Sequence, residues 1–172
     1  YHDTYFEEKR RFFLENITLF DTPIDLFHTR RIGENPNYEL FNSNYDQEPY
    51  ALVLGAAKIT GKTVNGISYG FVSAHTVSQK RQRKSKSGDN LFSLDINESK
   101  HNYLIGRLTK DFLSGNSYMG IMATKFLNDL NKSSVLSYDG MYNLFNNRLF
   151  IDSQIIYSIS NKNGYGAFLE FE

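Results

Sequence analysis

The placement of proline divides this chain into two parts. All three prolines lie within the first 50 residues, at Pro23, Pro36 and Pro49, and residues 51–172 contain none. Proline cannot donate a hydrogen bond to a strand ladder and is therefore kept out of sheet interiors. Residues 51–172 are also rich in β-forming residues that alternate with polar ones. We expect an irregular segment over residues 1–50 and about seven antiparallel strands over residues 51–172.

Charge, cysteine content and hydropathy exclude several classes of protein. The chain has 19 basic and 19 acidic residues, so its charge balance gives no reason to expect nucleic acid as a partner. It has no cysteine, which excludes a disulfide framework and a thiolate metal site. No run of 18 apolar residues is present, so no transmembrane helix is expected. The chain starts without a signal-peptide pattern or an initiating Met, and we expect it to be a piece of a longer protein.

The stretch GAAKITGKT, residues 55–63, matches the permissive form of a phosphate-binding loop. Such a loop needs a strand before it and a helix after it, because the helix N-terminus and the loop N–H groups bind the phosphates. Residues 64–71 instead carry two glycines among alternating β-formers, which make a poor helix. A hairpin with a three-residue loop at residues 64–66 explains the stretch better. It pairs Gly61 with Tyr69 and places Lys62 on the polar face of a sheet.

The same pattern recurs further along the chain. Asn146–Asn147 lies between two alternating runs and predicts a tight two-residue turn that pairs Leu144 with Leu149. Another hairpin is expected to turn through residues 113–116. Each hairpin has one apolar, aromatic face and one polar face. Residues 165–171 continue the alternation as a seventh strand, whose partner we expect beyond residue 172.

The connections between strands favour a transmembrane barrel. The short links at the three turns alternate with long links at residues 79–101 and 129–136 and with a link of intermediate length at residues 161–164. Short turns on one edge, longer loops on the other, and apolar-out, polar-in strands are typical of outer-membrane barrels. The sequence therefore predicts an all-β, antiparallel up-and-down meander that forms part of such a barrel. A soluble sandwich or lipocalin-like barrel, with its apolar face turned inward, remains open as an alternative, since seven strands do not close an even-numbered barrel.

Within the barrel prediction, the polar face lines the lumen. The residues predicted to face the lumen are Lys58, Lys62, Arg107, Asp111, Asp139, Asp152 and Glu170. Residues 1–50 are expected to enter or plug the barrel. Arg30 and Arg31 are expected to pair with lumen carboxylates such as Asp139, Asp152 or Glu170, because an unmatched charge inside a barrel mouth is costly. The alternative is that both arginines face solvent. The basic run at residues 80–86 predicts a solvated outer loop, with contact to anionic headgroups or sugar phosphates as the sharper alternative.

No arrangement of residues points to catalysis. The four histidines are scattered without metal-ligand spacing, and no Gly-x-Ser-x-Gly elbow is present. Asp139 and Asp152 could lie near each other as a carboxylate pair for glycosidic chemistry, but charges that hydrate a lumen explain them more simply. We therefore assign no catalytic, cofactor-binding or metal-binding residue.

Three sequence blocks carry a resemblance to a known family. EKRRFFLEN at residues 8–16, TRRIG at residues 29–33 and LGAAKITGKT at residues 54–63 follow one another in order. The chain resembles, from about Tyr5 to its end, the domain of unknown function 5916 family. The resemblance implies the C-terminal barrel region of bacterial envelope proteins that often carry an N-terminal family-9-like carbohydrate-binding domain. It further implies an outer-membrane location, membrane lipid as a partner, and glycans as ligands of the missing N-terminal domain, with no established activity.

Two classes of function therefore stay in view. The first is a barrel fragment of uncharacterised function that serves surface glycan binding or transport. The second is an envelope-associated hydrolase, or a soluble β-domain that binds a small ligand. In the first class, apolar residues such as Ile59 and Phe71 form an outward band. In a soluble domain they pack together in an interior and leave Lys58, Lys62 and Asp152 outside.

Overall fold

The computed structural model describes residues 8–29, 32–33, 52–87, 90–98, 100–129, 132–146 and 148–172. These residues form an all-β, antiparallel fold, as the sequence predicted. Seven strands build one sheet in the order β1-β2-β5-β6-β7-β8-β9, and β3 pairs with β4 as a separate ribbon. The strands are β1 (Val53–Lys62), β2 (Ile67–Thr76), β3 (Gln79–Ser87), β4 (Asn90–Glu98), β5 (His101–Phe112), β6 (Ser117–Asn128), β7 (Lys132–Leu144), β8 (Leu149–Ile159) and β9 (Gly164–Phe171).

The predicted strand registers are confirmed. In the β1–β2 hairpin, Gly61 pairs with Tyr69 and Lys62 pairs with Ser68. A Cβ atom at Gly61 would lie 2.4 Å from the Tyr69 ring, so the ring covers this glycine as expected. In the β7–β8 hairpin, Leu144 pairs with Leu149. Register is well specified here because a slip by one residue would move every apolar side chain to the other face.

The turns follow the expected positions with one difference. β5 and β6 are joined by a short 3₁₀ turn at Leu113–Gly115, where Ser114 and Gly115 have positive φ angles of 58° and 88°. The β7–β8 connection spans residues 145–148, so the predicted two-residue turn at Asn146–Asn147 is wrong. Phe145 and Asn146 adopt positive φ angles of 53° and 56°. Asn147 lies outside the described residues.

Two expectations about the links between strands are also wrong. Residues 79–101, read as a loop, contain the β3–β4 ribbon, in which Gln79 pairs with Glu98 and Ser87 with Asn90. The link predicted at residues 129–136 is shorter, because β7 already begins at Lys132. The last strand, β9, pairs with β8 along one edge, so the partner expected beyond residue 172 concerns its other edge and stays a prediction.

The N-terminal segment, defined here as residues 8–29 and 32–33, lies against one face of the sheet. It contains a short helix, α1 (Arg11–Leu14), and a 3₁₀ turn at Ile17–Phe20. The core forms between this segment and the central strands from Phe13, Phe20, Ile32, Val72, Ala74, Ile105 and Met122. Residues 34–51 lie outside the described part of the chain, so a boundary at residue 50 stays a prediction.

The sheet thus has a covered face, which contacts the N-terminal segment, and an exposed face. Successive side chains of a strand point to opposite faces, and the pairing carries this alternation across all seven strands. Ile105 breaks the polar pattern of its face in the sequence. The structure explains this exception, because Ile105 is buried in the core beneath the N-terminal segment.

The sheet is open, with β1 and β9 as its two edges among the described residues. None of the helices in the described part of the chain has the length and hydropathy needed to cross a membrane.

Gly70 allows the N-terminal segment to approach β2 closely. A Cβ atom at this position would lie 2.7 Å from Phe20 and 2.8 Å from Leu19. We expect Gly70→Val to displace the 3₁₀ turn and cost about 1–3 kcal/mol, the usual cost of overpacking. Hydrogen exchange of residues 10–29 measures the displacement. Gly106→Val is the matched control, since a Cβ atom there meets nothing within 4 Å, and equal effects of the two substitutions would contradict the close packing.

Candidate functional site

The buried polar interface between the N-terminal segment and the covered face is the candidate functional site. A bidentate ion pair between Arg107 on β5 and Asp139 on β7 lies at its centre. Arg107 Nη2 donates to Asp139 Oδ2 over 2.6 Å, and Nη1 donates to Oδ1. The two side chains are only 2% and 0% exposed. Two parallel charge-assisted hydrogen bonds form one of the stronger polar contacts in proteins.

The same guanidinium holds the N-terminal segment. Arg107 Nε donates to the Leu19 carbonyl over 3.3 Å, and Nη2 donates to the Asp21 carbonyl over 3.4 Å. Gly120 on the intervening strand β6 makes room for it, since a Cβ atom there would lie 3.1 Å from the guanidinium carbon. The charge of Arg107 is thereby balanced by Asp139, and two further donors of its guanidinium bind the segment.

Gln154 on β8 binds the segment further along. The Ile24 N–H donates to Gln154 Oε1 over 2.5 Å, and Gln154 Nε2 donates to the Ile24 carbonyl over 3.3 Å. Nε2 also donates to Ser137 Oγ over 3.0 Å. The buried Gln154 amide thus forms hydrogen bonds with both the N–H and the C=O of Ile24, as the backbone of a neighbouring strand would. The sequence reasoning missed Gln154, because only charged residues were selected on this face.

Two side chains of β1, those of Lys58 and Thr60, hold the start of the segment. Lys58 Nζ donates to the carbonyls of Phe12 and Glu15, and Asn16 Nδ2 donates to Thr60 Oγ1 over 3.0 Å. The ammonium of Lys58 therefore serves backbone carbonyls at the end of α1, where the helix leaves them without internal partners.

A further set of polar contacts, the Glu8 clamp, lies within the segment itself and is centred on Arg10. Arg10 donates through Nε and Nη2 to the Glu8 carboxylate, and through Nη1 and Nη2 to the carbonyls of Ile32 and Thr29. Its guanidinium also lies 4.3 Å from the Phe13 ring centroid. The pKa of Glu8 is lowered to about 2, because partial burial, which raises it, is outweighed by the hydrogen bonds from Arg10 and Thr29 together.

The structure places all seven residues predicted to face a lumen on the covered face, as the strand pairing requires. That this face lines a lumen stays a prediction. Lys62 binds Asp111 over 2.6 Å at a more exposed position, with side chains 61% and 24% exposed. Asp152 and Glu170 lie opposite each other on β8 and β9. Arg30 and Arg31 lie outside the described residues, and Asp139, named among their possible partners, is bound by Arg107 instead.

This arrangement is suited to holding two parts of the chain together. Asp139 and Asp152 lie on adjacent strands, but Asp139 is fully engaged by Arg107 and is 0% exposed. A general acid or base needs access to a substrate, which Asp139 lacks. Within the described residues, no group of three or more His, Asp or Glu side chains is placed to hold a metal ion.

The opposite face exposes most of the large apolar side chains of the sheet. Ile59, Tyr69, Phe71 and Ile155 are exposed, and Tyr142 and Ile151 are half-buried. Tyr138 and Tyr142 share a hydrogen bond of 2.8 Å between their hydroxyls. A shallow depression of ≈ 240 Å³ lies on this face, and its lining consists of Ile67, Leu108, Thr109, Lys110, Met119, Gly120, Ile121 and Tyr138.

The fold and the site define an antiparallel β-sheet protein whose polar face is covered by its own N-terminal segment. The chain belongs to the family described as a domain of unknown function (DUF5916), whose model matches residues 2–171. The resemblance seen in the sequence blocks is thereby confirmed. No curated protein and no solved structure matches the chain. The family description assigns no activity, so a function has to be argued from the geometry.

Removal of the Asp139 charge should detach the N-terminal segment. In Asp139→Asn the Arg107 guanidinium stays buried without a counter-charge, which costs about 3–5 kcal/mol for buried pairs. Denaturant unfolding measures the loss of stability, and hydrogen exchange of residues 10–29 measures the detachment. Asp111→Asn is the matched control, because its pair with Lys62 is partly exposed and worth about 0–1 kcal/mol. Similar losses in the two variants would show that the buried pair has no special role.

The Glu8 clamp should be sensitive to pH. The pKa of Glu8 is lowered from 4.5 to about 2, so its ionised form stabilises the clamp fully above pH 4.5, and the effect is lost as pH falls through 2. We expect Glu8→Gln to speed hydrogen exchange of residues 10–29 several-fold at pH 6. The ratio of variant to wild-type exchange rates should approach one near pH 2. Glu15→Gln, at an exposed position, is the control, and a pH-independent ratio for Glu8→Gln would refute this role.

Proposed function

We propose that this chain forms part of an outer-membrane β-barrel in a bacterial envelope protein. In this proposal the exposed face contacts lipid, and the covered face lines an interior that the N-terminal segment occupies. The supporting observation is the sidedness of the sheet: the centre of the polar face is buried, while the apolar face is open.

A water-soluble sheet of this kind would have the opposite sidedness. In soluble sandwiches and barrels the apolar side chains fill the interior and polar residues face water. Here Ile155 and Leu169 are 63% and 66% exposed, whereas Arg107, Asp139 and Gln154 are buried. Apolar surface left in water forgoes roughly 25 cal/mol per Å². A lipid environment removes this cost for the whole exposed face.

Strand length and aromatic placement also support a membrane environment. β5, β6, β7 and β8 have 12, 12, 13 and 11 residues, and about 9–11 residues suffice for a tilted strand to cross a bilayer. Phe112 and Tyr142, near the short turns, have ring centroids 5.7 Å apart. Tyr157 and Tyr165 pair with each other near the other end of their strands. Two aromatic levels that flank an apolar band are typical of outer-membrane barrels.

The covered interior favours an anchoring or gated role over an open pore. The N-terminal segment fills the centre of the covered face, where Arg107 and Gln154 hold it. Within the proposal, the protein serves surface glycan binding or transport. The glycan would be bound by a carbohydrate-binding domain N-terminal to this region in the parent protein, as the resemblance to the family implies.

A soluble domain that binds a small ligand is the second candidate. The observation that favours it is the ≈ 240 Å³ depression on the exposed face, which has an apolar lining suited to a small apolar molecule. The described residues show no comparable feature for a hydrolase, since Asp139, the carboxylate at the centre of the covered face, is buried and paired with Arg107.

Envelope fractionation of the parent protein tests the proposal. We expect the protein in the outer-membrane fraction, with a heat-dependent shift in gel mobility that reports a closed barrel. A periplasmic protein without a shift would overturn the membrane proposal and favour the soluble alternative.

In the same experiment, the substitution Ile155→Arg tests whether the exposed face contacts lipid. At a lipid-facing position an arginine costs about 2–4 kcal/mol near the bilayer midplane, so the shifted, membrane-inserted form should decrease. At a water-exposed position the same change stays within about 0.5 kcal/mol. Val64→Arg is the matched control, because Val64 lies in the β1–β2 turn and is 103% exposed. If the two variants insert equally well, the exposed face does not contact lipid.

A further inference from the structure

The two edges of the sheet differ in how they are protected. β1 has a register shift between Val53 and Gly55 and carries Lys58 and Lys62. Lys58 also binds the N-terminal segment. Bulges, lysines and covering segments are the features by which edge strands avoid further pairing. β9 spans Gly164–Phe171 and has no proline, no lysine and no register shift in its pairing with β8.

The free edge of β9 presents a regular row of backbone groups. Phe150 and Glu172 exchange both of their backbone hydrogen bonds at 3.0 Å. In an antiparallel pair such exchanges recur at every second residue, so Gly164, Gly166, Phe168 and Glu170 direct their N–H and C=O groups to β8. Tyr165, Ala167, Leu169 and Phe171 direct theirs away from the sheet. No strand pairs with this side within the described residues.

Most residues of β9 are exposed, and only Gly164 and Phe168 of this strand are half-buried. Tyr165, Leu169 and Phe171 are among the most exposed apolar residues of the sheet. On the covered face, Glu170 lies directly opposite Asp152, and like charges in this position destabilise a sheet. Asp152 Oδ1 is buried without a hydrogen-bond partner in the part of the chain that the structure describes.

Asp152 and Glu170 differ from two other carboxylates of the covered face, each of which is paired with a basic side chain. Asp111 is paired with Lys62, and Asp139 with Arg107. Two carboxylates remain together at β8 and β9. A basic side chain on a strand next to β9 would neutralise them. A second copy of β9 would not, since it would bring another glutamate to the same face.

We propose that the free edge of β9 binds an antiparallel β-strand that carries Arg or Lys next to Glu170 and apolar side chains on the exposed face. This strand supplies hydrogen bonds to the backbone of Tyr165, Ala167, Leu169 and Phe171. The inference does not depend on insertion into lipid, because edge pairing and charge matching operate in either environment. A failed membrane test would therefore leave it standing, and its own failure would leave the membrane proposal standing.

Peptide binding to the purified chain in detergent micelles tests this inference. The probes are two synthetic nine-residue peptides of alternating Ile and Thr that differ only at the central polar position, which is Arg in one and Glu in the other. We expect the Arg peptide to slow hydrogen exchange at Ala167 and Leu169, and to bind about two- to fivefold more tightly than the Glu peptide. Glu170→Lys should reverse this order of affinity.

Ala167→Pro provides the matched test of the backbone. It removes an outward N–H without removing a hydrogen bond to β8, as edge strands tolerate, and should weaken binding of both peptides. Protected amides in β5, β6 and β7, measured in the same experiment, establish that the sheet is folded. Absence of binding by either peptide, equal binding of the two, or indifference to Ala167→Pro would overturn the proposal. Protection that depends on protein concentration without peptide would also overturn it, because the occupant would then be a second copy.

Discussion

The buried ion pair between Arg107 and Asp139 determines how the covered face is built. The pair joins β5 and β7 across β6, and the same guanidinium binds the carbonyls of Leu19 and Asp21. A buried charge is tolerated only where its partner and its remaining hydrogen bonds are supplied. The sheet supplies the carboxylate and the N-terminal segment supplies the carbonyls. The segment is thus part of the core, and the strands alone would leave a charged, unsatisfied surface.

The apolar part of the core follows the same division. Phe13, Phe20 and Ile32 come from the segment and pack on apolar side chains of the central strands. The segment therefore contributes both the apolar contacts and the polar contacts that bury the covered face. The outer apolar side chains make no comparable contacts with the rest of the described chain. Within the proposed function, the bilayer takes the place of those missing contacts.

Most of the sheet could be predicted from the sequence, because period-two alternation and turn residues are local signals. They define the register of the β7–β8 hairpin, for example, without any knowledge of the neighbouring strands. The β3–β4 ribbon was not predicted, because the basic run at residues 80–86, which forms most of β3, is typical of a solvated loop. The pairing of Arg107 with Asp139 could not be predicted, since it joins strands that are not adjacent. Burial of Gln154 likewise depends on the path of the N-terminal segment, for which the sequence holds no local signal.

The way in which the β3–β4 ribbon joins the sheet has a consequence for variation among related proteins. The ribbon leaves and rejoins the sheet at adjacent positions, where His75 pairs with Asn102 and the His101 N–H donates to Thr76 Oγ1 over 2.9 Å. β2 and β5 are thereby already held next to each other at the base of the ribbon. The inserted residues can change in length, charge or sequence without a change of register in the seven-stranded sheet. The ribbon is consequently the part of this fold where evolution can alter the molecular surface most freely, and where a foreign peptide could be inserted with least disturbance.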